Sequence, residues 1–192
     1  MSASTRSSAP ELILGLLLAS AVPGACAETP AWCGVTDGPL PATIRAQLPP
    51  LSVRGTGDLR WFGLPVYDAR LWSPPEAWRA DRPFALEIRY ARNIRGDQLA
   101  ARSIDEMRLQ GIGDESRHAR WRAAMNRTFP DVREGDCLTG LAMPGAPTRF
   151  FVNGRLAGAI DDPEFGPAFF AIWLSPATSE PRLRRQLLGE LR

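Results

Sequence analysis

The segment 83–94, PFALEIRYARNI, alternates apolar and charged side chains with a period of two. Its even positions from 84 to 90 carry Phe, Leu, Ile and Tyr, while Glu87 and Arg89 fall on the opposite face. A strand with this pattern belongs to a sheet whose one face packs against an apolar layer. The rest of the chain therefore has to supply the neighbouring strands and the covering layer.

Two amphipathic helices are predicted after this strand, because apolar side chains recur there every three to four residues. Asp97 is the expected N-cap of the first helix, and Asp114 that of the second, after a break at Gly113. His118 lies on the inner face of the second helix. A structural role is expected for it, since no nucleophile with a matching acid accompanies it.

The C-terminal third predicts a hairpin followed by two more helices. Asn153 and Gly154 are typical of a type I′ turn, in which both central residues have positive φ. Asp162 is the expected N-cap of an apolar helix over 163–174, and leucines mark a last amphipathic helix. Because strands and helices are grouped rather than alternating, the predicted fold class is α+β, with a long antiparallel sheet and helices layered on one face.

The first 27 residues are predicted to be a secretory signal peptide. A basic start precedes the apolar run 12–22, and Ala25 and Ala27 form a small-x-small cleavage pattern. The run is too short to span a bilayer. We expect cleavage after Ala27 and a periplasmic or secreted protein with no membrane span after cleavage.

Cysteine usage leaves two alternatives open. Cys26 leaves with the signal peptide unless it is lipidated, an interpretation that Pro23 disfavours because such signals usually carry Leu there. Cys33 and Cys137 then remain, and they are predicted to form a disulfide in an oxidising compartment. The bond would close a loop of ~100 residues and contribute about 4–5 kcal/mol. The alternative is two unrelated buried thiols.

Composition excludes several kinds of chemistry. All 23 basic residues are Arg, so no lysine is present for Schiff-base catalysis. A single histidine excludes sites that need two, and no spacing indicates a metal or a cofactor. The arginines are interleaved with acidic residues, which does not favour nucleic acid as a partner.

The stretch 57–72, GDLRWFGLPVYDARLW, is apolar on both faces between 61 and 67. We expect a strand that is bent near Gly63 and Pro65 and covered on both sides, by protein or by a bound apolar ligand. Arg60 is the residue that burial does not explain. The glycines at 55 and 57 just before it are expected to form a turn.

The first predicted helix carries charged side chains at intervals of three and four residues. Arg102 and Glu106 are among them, and a solvated face with surface ion pairs is the expected interpretation. The alternative is a helix side that rims a pocket, with one of the two pointing inward. Likewise, Asp161 and Asp162 are expected to serve in a loop and a cap rather than as paired catalytic carboxylates.

Five segments resemble the chalcone isomerase-like proteins of bacteria, in order along the chain. They are GTGDLRWFGLPVYDARLW, PFALEIRYARNIRGDQLAARSIDEMR, FPDVREGD, FFVNGRLAGAI and FGPAFFAIWLSPATSEPRLRRQLLG. The resemblance covers about residues 51–189. It implies a long antiparallel sheet with helices on one face and a cleft between them, in a domain over 51–192 preceded by an extended arm over 28–50.

Proteins of this fold include enzymes that close a flavanone ring and others that bind fatty acids with an Arg and a Tyr at the carboxylate. Carried over residue by residue, most of the enzymes' polar positions fall on apolar residues near Phe62, Leu99 and Ala171, and only Arg60 matches their arginine. The resemblance therefore implies non-catalytic binding of a small amphipathic molecule, such as a fatty acid.

The expected ligand-binding residues are Arg60 and Tyr67 as anion partners, with Phe62, Leu64, Tyr90 and Phe169 lining an apolar cleft. Two alternatives remain: an isomerase or lyase acting on a chalcone-like phenolic substrate, and a structural or partner-binding exported protein whose cleft is filled by its own side chains. An apolar void beside the helix at 163–174 discriminates the binding hypothesis from the last one.

Overall fold

A computed structural model describes residue 1 and residues 40–191. Six strands form one antiparallel sheet in chain order: β1 (Ser52–Trp61), β2 (Leu64–Ser73), β3 (Phe84–Tyr90), β4 (Cys137–Ala142), β5 (Thr148–Val152) and β6 (Arg155–Ile160). The described helices are α1 (Ala42–Arg45), α2 (Gly96–Leu109), α3 (Glu115–Thr128), α4 (Phe165–Leu174) and α5 (Pro181–Leu187). The predicted α+β class and its antiparallel sheet are confirmed.

The main core lies between the sheet and the longer helices. The even positions of β3, from Phe84 to Tyr90, are all buried there, as their alternation predicts. Aromatic rings from α4 complete this core: Phe169 packs edge to face on Phe150 at 5.1 Å and stacks on Phe165 at 5.4 Å between centroids. Helix α4 is therefore fixed to the middle of the sheet by aromatic packing.

A second, smaller core lies on the opposite face of the sheet. Leu40 and Ile44 are buried against Trp72 and three further residues of the sheet, Ala85, Leu141 and Phe151. The structure differs here from the extended arm predicted over 28–50, because residues 42–45 form α1 and dock on the sheet. The apolar patch that receives them is assembled from four strands, so no local pattern shows it. Residues 28–39 lie outside the described part of the chain.

Glycines in β1 let α5 lie directly on the sheet. A Cβ at Gly55 would lie 2.1 Å from the carbonyl oxygen of Gln186, and one at Gly57 would lie 2.7 Å from Leu183 Cδ1. The turn expected at 55–57 is therefore wrong. Both glycines lie within β1, whose register with β2 shifts between Val53 and Gly55, and they are needed for the close approach of a helix rather than for chain reversal.

The stretch 57–72 is a hairpin rather than one bent strand. Trp61 pairs with Leu64, and the two residues between them, Phe62 and Gly63, have φ of 48° and 79°. Positive φ at both central positions is typical of a type I′ turn. No sequence pattern predicts this turn, because a bulky residue rarely adopts positive φ. In contrast, the turn predicted at Asn153 and Gly154 is confirmed, with φ of 50° and 76°.

The structure tests the three helix N-caps predicted from the sequence. The N-cap at Asp114 is confirmed, since its side chain accepts a hydrogen bond from the amide of Arg117. The one at Asp97 is wrong: α2 already begins at Gly96, whose amide donates to Asp131 Oδ1 at 2.9 Å. That partner lies 35 residues further along the chain, where no local pattern reveals it. Asp162 is not the N-cap of α4 either: the helix begins at Phe165 with Glu164 at the N-cap position, and Asp162 accepts from the amide of Glu164 in the turn just before it.

We predict that Phe62→Asn stabilises the protein by about 1 kcal/mol, because Asn tolerates positive φ far better than Phe. Chemical denaturation measures the free energy of unfolding. Phe62→Ala is the matched control, since it removes the same ring without favouring the turn. An equal gain from Ala, or a loss of stability from Asn, would contradict the assignment of strain to this turn.

Candidate functional site

Three of the predicted ligand-binding residues lie at the tip of the β1–β2 hairpin and not in a cleft. Phe62 is 93% exposed, Leu64 is 60% exposed, and the Arg60 side chain is 57% exposed. Arg60 Nε donates to Asp58 Oδ2 at 2.8 Å, an ion pair on the surface. Their assignment to an apolar cleft is corrected by the structure. The turn at 62–63 reverses the chain before these side chains reach the helices.

The other three predicted residues do come together beneath α4, through Trp173. The indole Nε1 of Trp173 donates to Tyr67 Oη at 2.9 Å, and its ring lies 5.3 Å from that of Phe169. Tyr67 and Tyr90 face each other across β2 and β3, edge to face, with centroids 6.3 Å apart. Tyr67, Tyr90 and Phe169 therefore share one packed interior rather than the wall of an open cleft.

A buried carboxylate borders this interior from α2. Glu106 is buried, and its Oε2 accepts a hydrogen bond from Ser179 Oγ at 2.7 Å. Arg102, one turn earlier on α2 and largely exposed, donates to its other oxygen. Glu106 thus points inward, but neither it nor Arg102 lines the pocket described below, so this helix face does not rim it. Its hydrogen bonds tie α2 to the connection between α4 and α5.

Burial sets the protonation state of both tyrosines. The pKa of Tyr67 lies well above its usual value, mainly because of burial; the hydrogen bond from Trp173 opposes this, and the carboxylates of Glu180 and Glu106 add to it. The pKa of Tyr90 is raised by burial and by the neighbouring Tyr67. Both phenols are therefore neutral over the physiological range, and neither is poised as a base.

An open pocket lies on the other side of α4. Its volume is about 610 Å³, and apolar side chains make up most of its wall. It is bordered by α4, by the β2–β3 connection and by the β4–β5 turn. Its lining includes Trp78, Arg82, Phe84, Phe170, Ala171 and Arg184. None of the six residues predicted from the sequence to bind ligand lines it.

Basic and acidic side chains stand at the pocket's polar margin. Arg184 Nε donates to the carbonyl of Leu174 at 2.9 Å, which fixes the guanidinium at the wall. Among the acidic groups there, Asp81 is paired with Arg79, and Asp162 Oδ2 accepts from Trp121 Nε1 at 2.9 Å. Arg184 is therefore a held cation beside an apolar cavity.

A weak sequence signal for this pocket did exist. Two connections that border it, SPPEAWRADRP at 73–83 and MPGAP at 143–147, are rich in proline, and the first carries Trp78 and Arg82. They follow β2 and β4, which run in the same direction and finish at the same end of the sheet, so the two connections lie near each other. What the sequence does not show is that α4 leaves space between them.

Two other predictions concern residues outside the described part of the chain. The signal peptide over 1–27, with its cleavage after Ala27, falls there apart from Met1. Cys137 is buried at the start of β4 and takes part in a disulfide, but Cys33 lies outside the described residues. The pairing of Cys33 with Cys137 therefore stays a prediction.

Residues 40–191 contain neither a cluster of metal-ligating side chains nor a helix suited to cross a membrane. In that part of the chain, no group of three or more His, Cys, Asp or Glu side chains lies close enough together to hold a metal ion. In the same range, no helix is both long enough and apolar enough to cross a membrane.

The fold and site together define an α+β sheet-and-helix protein of the chalcone isomerase type. A solved structure of a fatty-acid binding protein from Arabidopsis thaliana shares this fold, with a TM-score of 0.57 over 73% of this chain and 87% of that chain. The sequence identity between the two is 9%. The likeness therefore concerns the fold.

The model of the family described as "Chalcone isomerase-like" matches residues 34–189. The chain belongs to the chalcone isomerase-like family, as its sequence segments indicated. It is also 30% identical over 137 residues to a protein of Haemophilus influenzae named "Uncharacterized protein", a match that covers 71% of this chain and 67% of that one.

The two tyrosines are the only ones in the sequence, and lysine is absent, so tyrosine ionisation dominates the alkaline titration of side chains. We predict no tyrosinate absorbance near pH 10 while the protein is folded. Unfolded tyrosine ionises near pH 10, so unfolding releases protons above that pH. Stability should fall there by up to about 1.4 kcal/mol per pH unit for each tyrosine.

Tyr90→Phe is the variant of choice for this titration, because no described residue hydrogen-bonds to Tyr90 Oη. It should remove about half of the alkaline slope and leave the Trp173–Tyr67 hydrogen bond in place. A tyrosinate band that rises near pH 10 with tryptophan fluorescence unchanged would show instead that the phenols are open to solvent.

Proposed function

We propose that the protein binds a small amphipathic molecule carrying a carboxylate, such as a fatty acid, in the pocket beside α4, without catalysing a reaction. The observation that carries this proposal is the 610 Å³ pocket with a largely apolar wall and a fixed arginine at its margin. Its size lies within the ~300–1,000 Å³ range of small-molecule sites. In this position the ligand lies on the side of α4 away from Tyr67, and it does not contact the hairpin residues Arg60, Phe62 and Leu64.

The apolar wall suits an acyl or aromatic tail. Phe84 and Phe170 meet edge to face with centroids 4.7 Å apart, and Trp78 packs on Phe84 at 5.0 Å. All three line the pocket. Because aromatic packing already fixes these rings, they provide a preformed surface, and a bound tail loses less binding energy to ordering of the protein.

Arg184 is the proposed partner of the carboxylate. Its Nε–H is already bound to the Leu174 carbonyl, which leaves the two terminal nitrogens of the guanidinium for an anion. A guanidinium of fixed orientation suits bidentate pairing with a carboxylate. Arg82, on the β2–β3 connection, is the second arginine of a lining that also holds Asp81, Asp161 and Asp162.

The position of Arg60 supports binding rather than isomerase chemistry. It is the residue that matches the arginine of the catalytic members of this fold, yet it is paired with Asp58 on the surface and does not line the pocket. The Arabidopsis protein that shares the fold is a fatty-acid binding protein, which agrees with a binding role.

We predict that palmitate binds the mature protein and that Arg184→Gln weakens binding by roughly tenfold, the usual effect of losing a charge-assisted hydrogen bond. Isothermal titration calorimetry measures the dissociation constant. Arg185→Gln is the matched control, because Arg185 is the exposed neighbour on the same helix. Equal weakening by both variants would contradict a specific role for Arg184.

Filling the pocket tests its location in the same assay. Ala171→Phe places a ring in the cavity and should abolish binding, whereas Ala119→Phe on the exposed face of α3 should leave it unchanged. Thermal melts establish that each variant folds. Undiminished binding by folded Ala171→Phe would exclude this pocket as the ligand site.

We further propose that the protein is exported and acts in a periplasmic or extracellular space, with a disulfide between Cys33 and Cys137. The signal-peptide pattern supports export, and the disulfide-bonded state of buried Cys137 supports an oxidising compartment. The intact mass of protein recovered from an exporting host should correspond to a chain starting at Glu28, and it should be lower by two hydrogen atoms before reduction than after it. A lipid-modified chain starting at Cys26 would contradict the cleavage site.

A further inference from the structure

The β1–β2 hairpin ends in an exposed aromatic tip, which consists of Trp61, Phe62 and Leu64. These residues belong to the apolar stretch that stands out in the sequence, and the pocket does not use them. Trp61 is 65% exposed, and its ring stacks on that of Phe62 with centroids 6.0 Å apart. No described residue covers the tip or accepts a hydrogen bond from Trp61 Nε1.

The turn residue at this tip is unfavourable for folding. In the described part of the chain, the two-residue turn between β5 and β6 carries Asn153 at the position equivalent to Phe62, and both residues have positive φ. Asn153 also forms hydrogen bonds, to the amide of Cys137 and to Asp136. Phe62 forms none among the described residues. An aromatic side chain that projects into solvent from a residue with a strained backbone indicates a role outside the fold.

We propose that this tip inserts into the interface of a phospholipid bilayer. Its three side chains expose on the order of 400 Å². A stable protein interface buries about 800 Å² on each partner. The tip is also a convex two-residue turn beside charged residues, which gives a protein partner little to enclose. A bilayer needs no matching shape.

The residue types at the tip suit the depth at which a bilayer changes from polar to apolar. Tryptophan favours this region, because its ring is apolar and its N–H still finds a polar partner there. Arg60 lies next to the tip, in its exposed ion pair with Asp58. Exposed Arg92 follows Ala91, whose amide donates to the Val66 carbonyl near the start of β2. Long arginine side chains so placed can reach phosphate groups while the rings insert.

The test is co-sedimentation of the protein with vesicles of phosphatidylethanolamine and phosphatidylglycerol. The test variant is Trp61→Thr with Phe62→Asn, which keeps a strand former and provides a favourable Asn-Gly turn. Loss of binding therefore cannot be assigned to a damaged hairpin. Leu109→Ser with Leu156→Ser is the matched control, because both leucines are exposed elsewhere on the surface.

The wild-type chain and the leucine control should sediment with vesicles, and the hairpin variant should bind at least tenfold more weakly. The same comparison is repeated in an Ala171→Phe background, in which the pocket is filled. It separates adsorption at the tip from uptake of lipid into the pocket, so a failure of this proposal can be distinguished from a failure of the proposed function. Equal binding by all variants, or no binding by wild type, would overturn the proposal. So would a wild-type dimer that the hairpin variant abolishes, since it would make a second copy the partner.

Discussion

The aromatic packing of α4 on the sheet is the interaction on which the rest of the structure depends. Helix α4 has apolar side chains on all sides, so solvent exposure of any face is costly. Phe165 and Phe169 secure one side against Phe150 in the main core. The opposite side, with Phe170 and Ala171, is left facing the pocket. One apolar helix thereby supplies both the core and the wall of the proposed binding site.

The polar contacts beneath α4 hold it in place at its C-terminal end. Trp173 donates to Tyr67 on β2, while the adjoining connection is tied to α2 through Ser179 and Glu106. These groups are buried and paired, and an unpaired buried carboxylate is costly. The arrangement therefore fixes the helix rather than presenting reactive groups, which agrees with a binding role.

The fold was predictable because its main signals are local. The alternation in β3, the Asn153–Gly154 turn and the cap at Asp114 each depend on residues only a few positions apart. The sheet and its covering helices follow from such signals. Features that depend on residues far apart in the sequence were not predicted. Examples are the hydrogen bond from the Gly96 amide at the start of α2 to Asp131 and the docking of α1 on the sheet.

The site was predicted less well than the fold, and the reason lies in two residues. Phe62 occupies a turn position that bulky side chains rarely adopt, so Arg60, Phe62 and Leu64 were placed in a cleft that the chain never enters. Tyr67, Tyr90 and Phe169 lie near α4, but they belong to the packed core and do not line the pocket. The sequence does not predict a role for Arg184, because only its contact with Leu174 in the folded protein distinguishes it from neighbouring arginines.

The side of α4 that faces the pocket is the proposed ligand site. Native mass spectrometry of the protein, purified without detergent, tests this most directly. We expect a fraction of the protein to carry the added mass of one amphipathic acid, and the Ala171→Phe variant to carry none. Ligand-free protein throughout, or the same added mass on both proteins, would contradict the account.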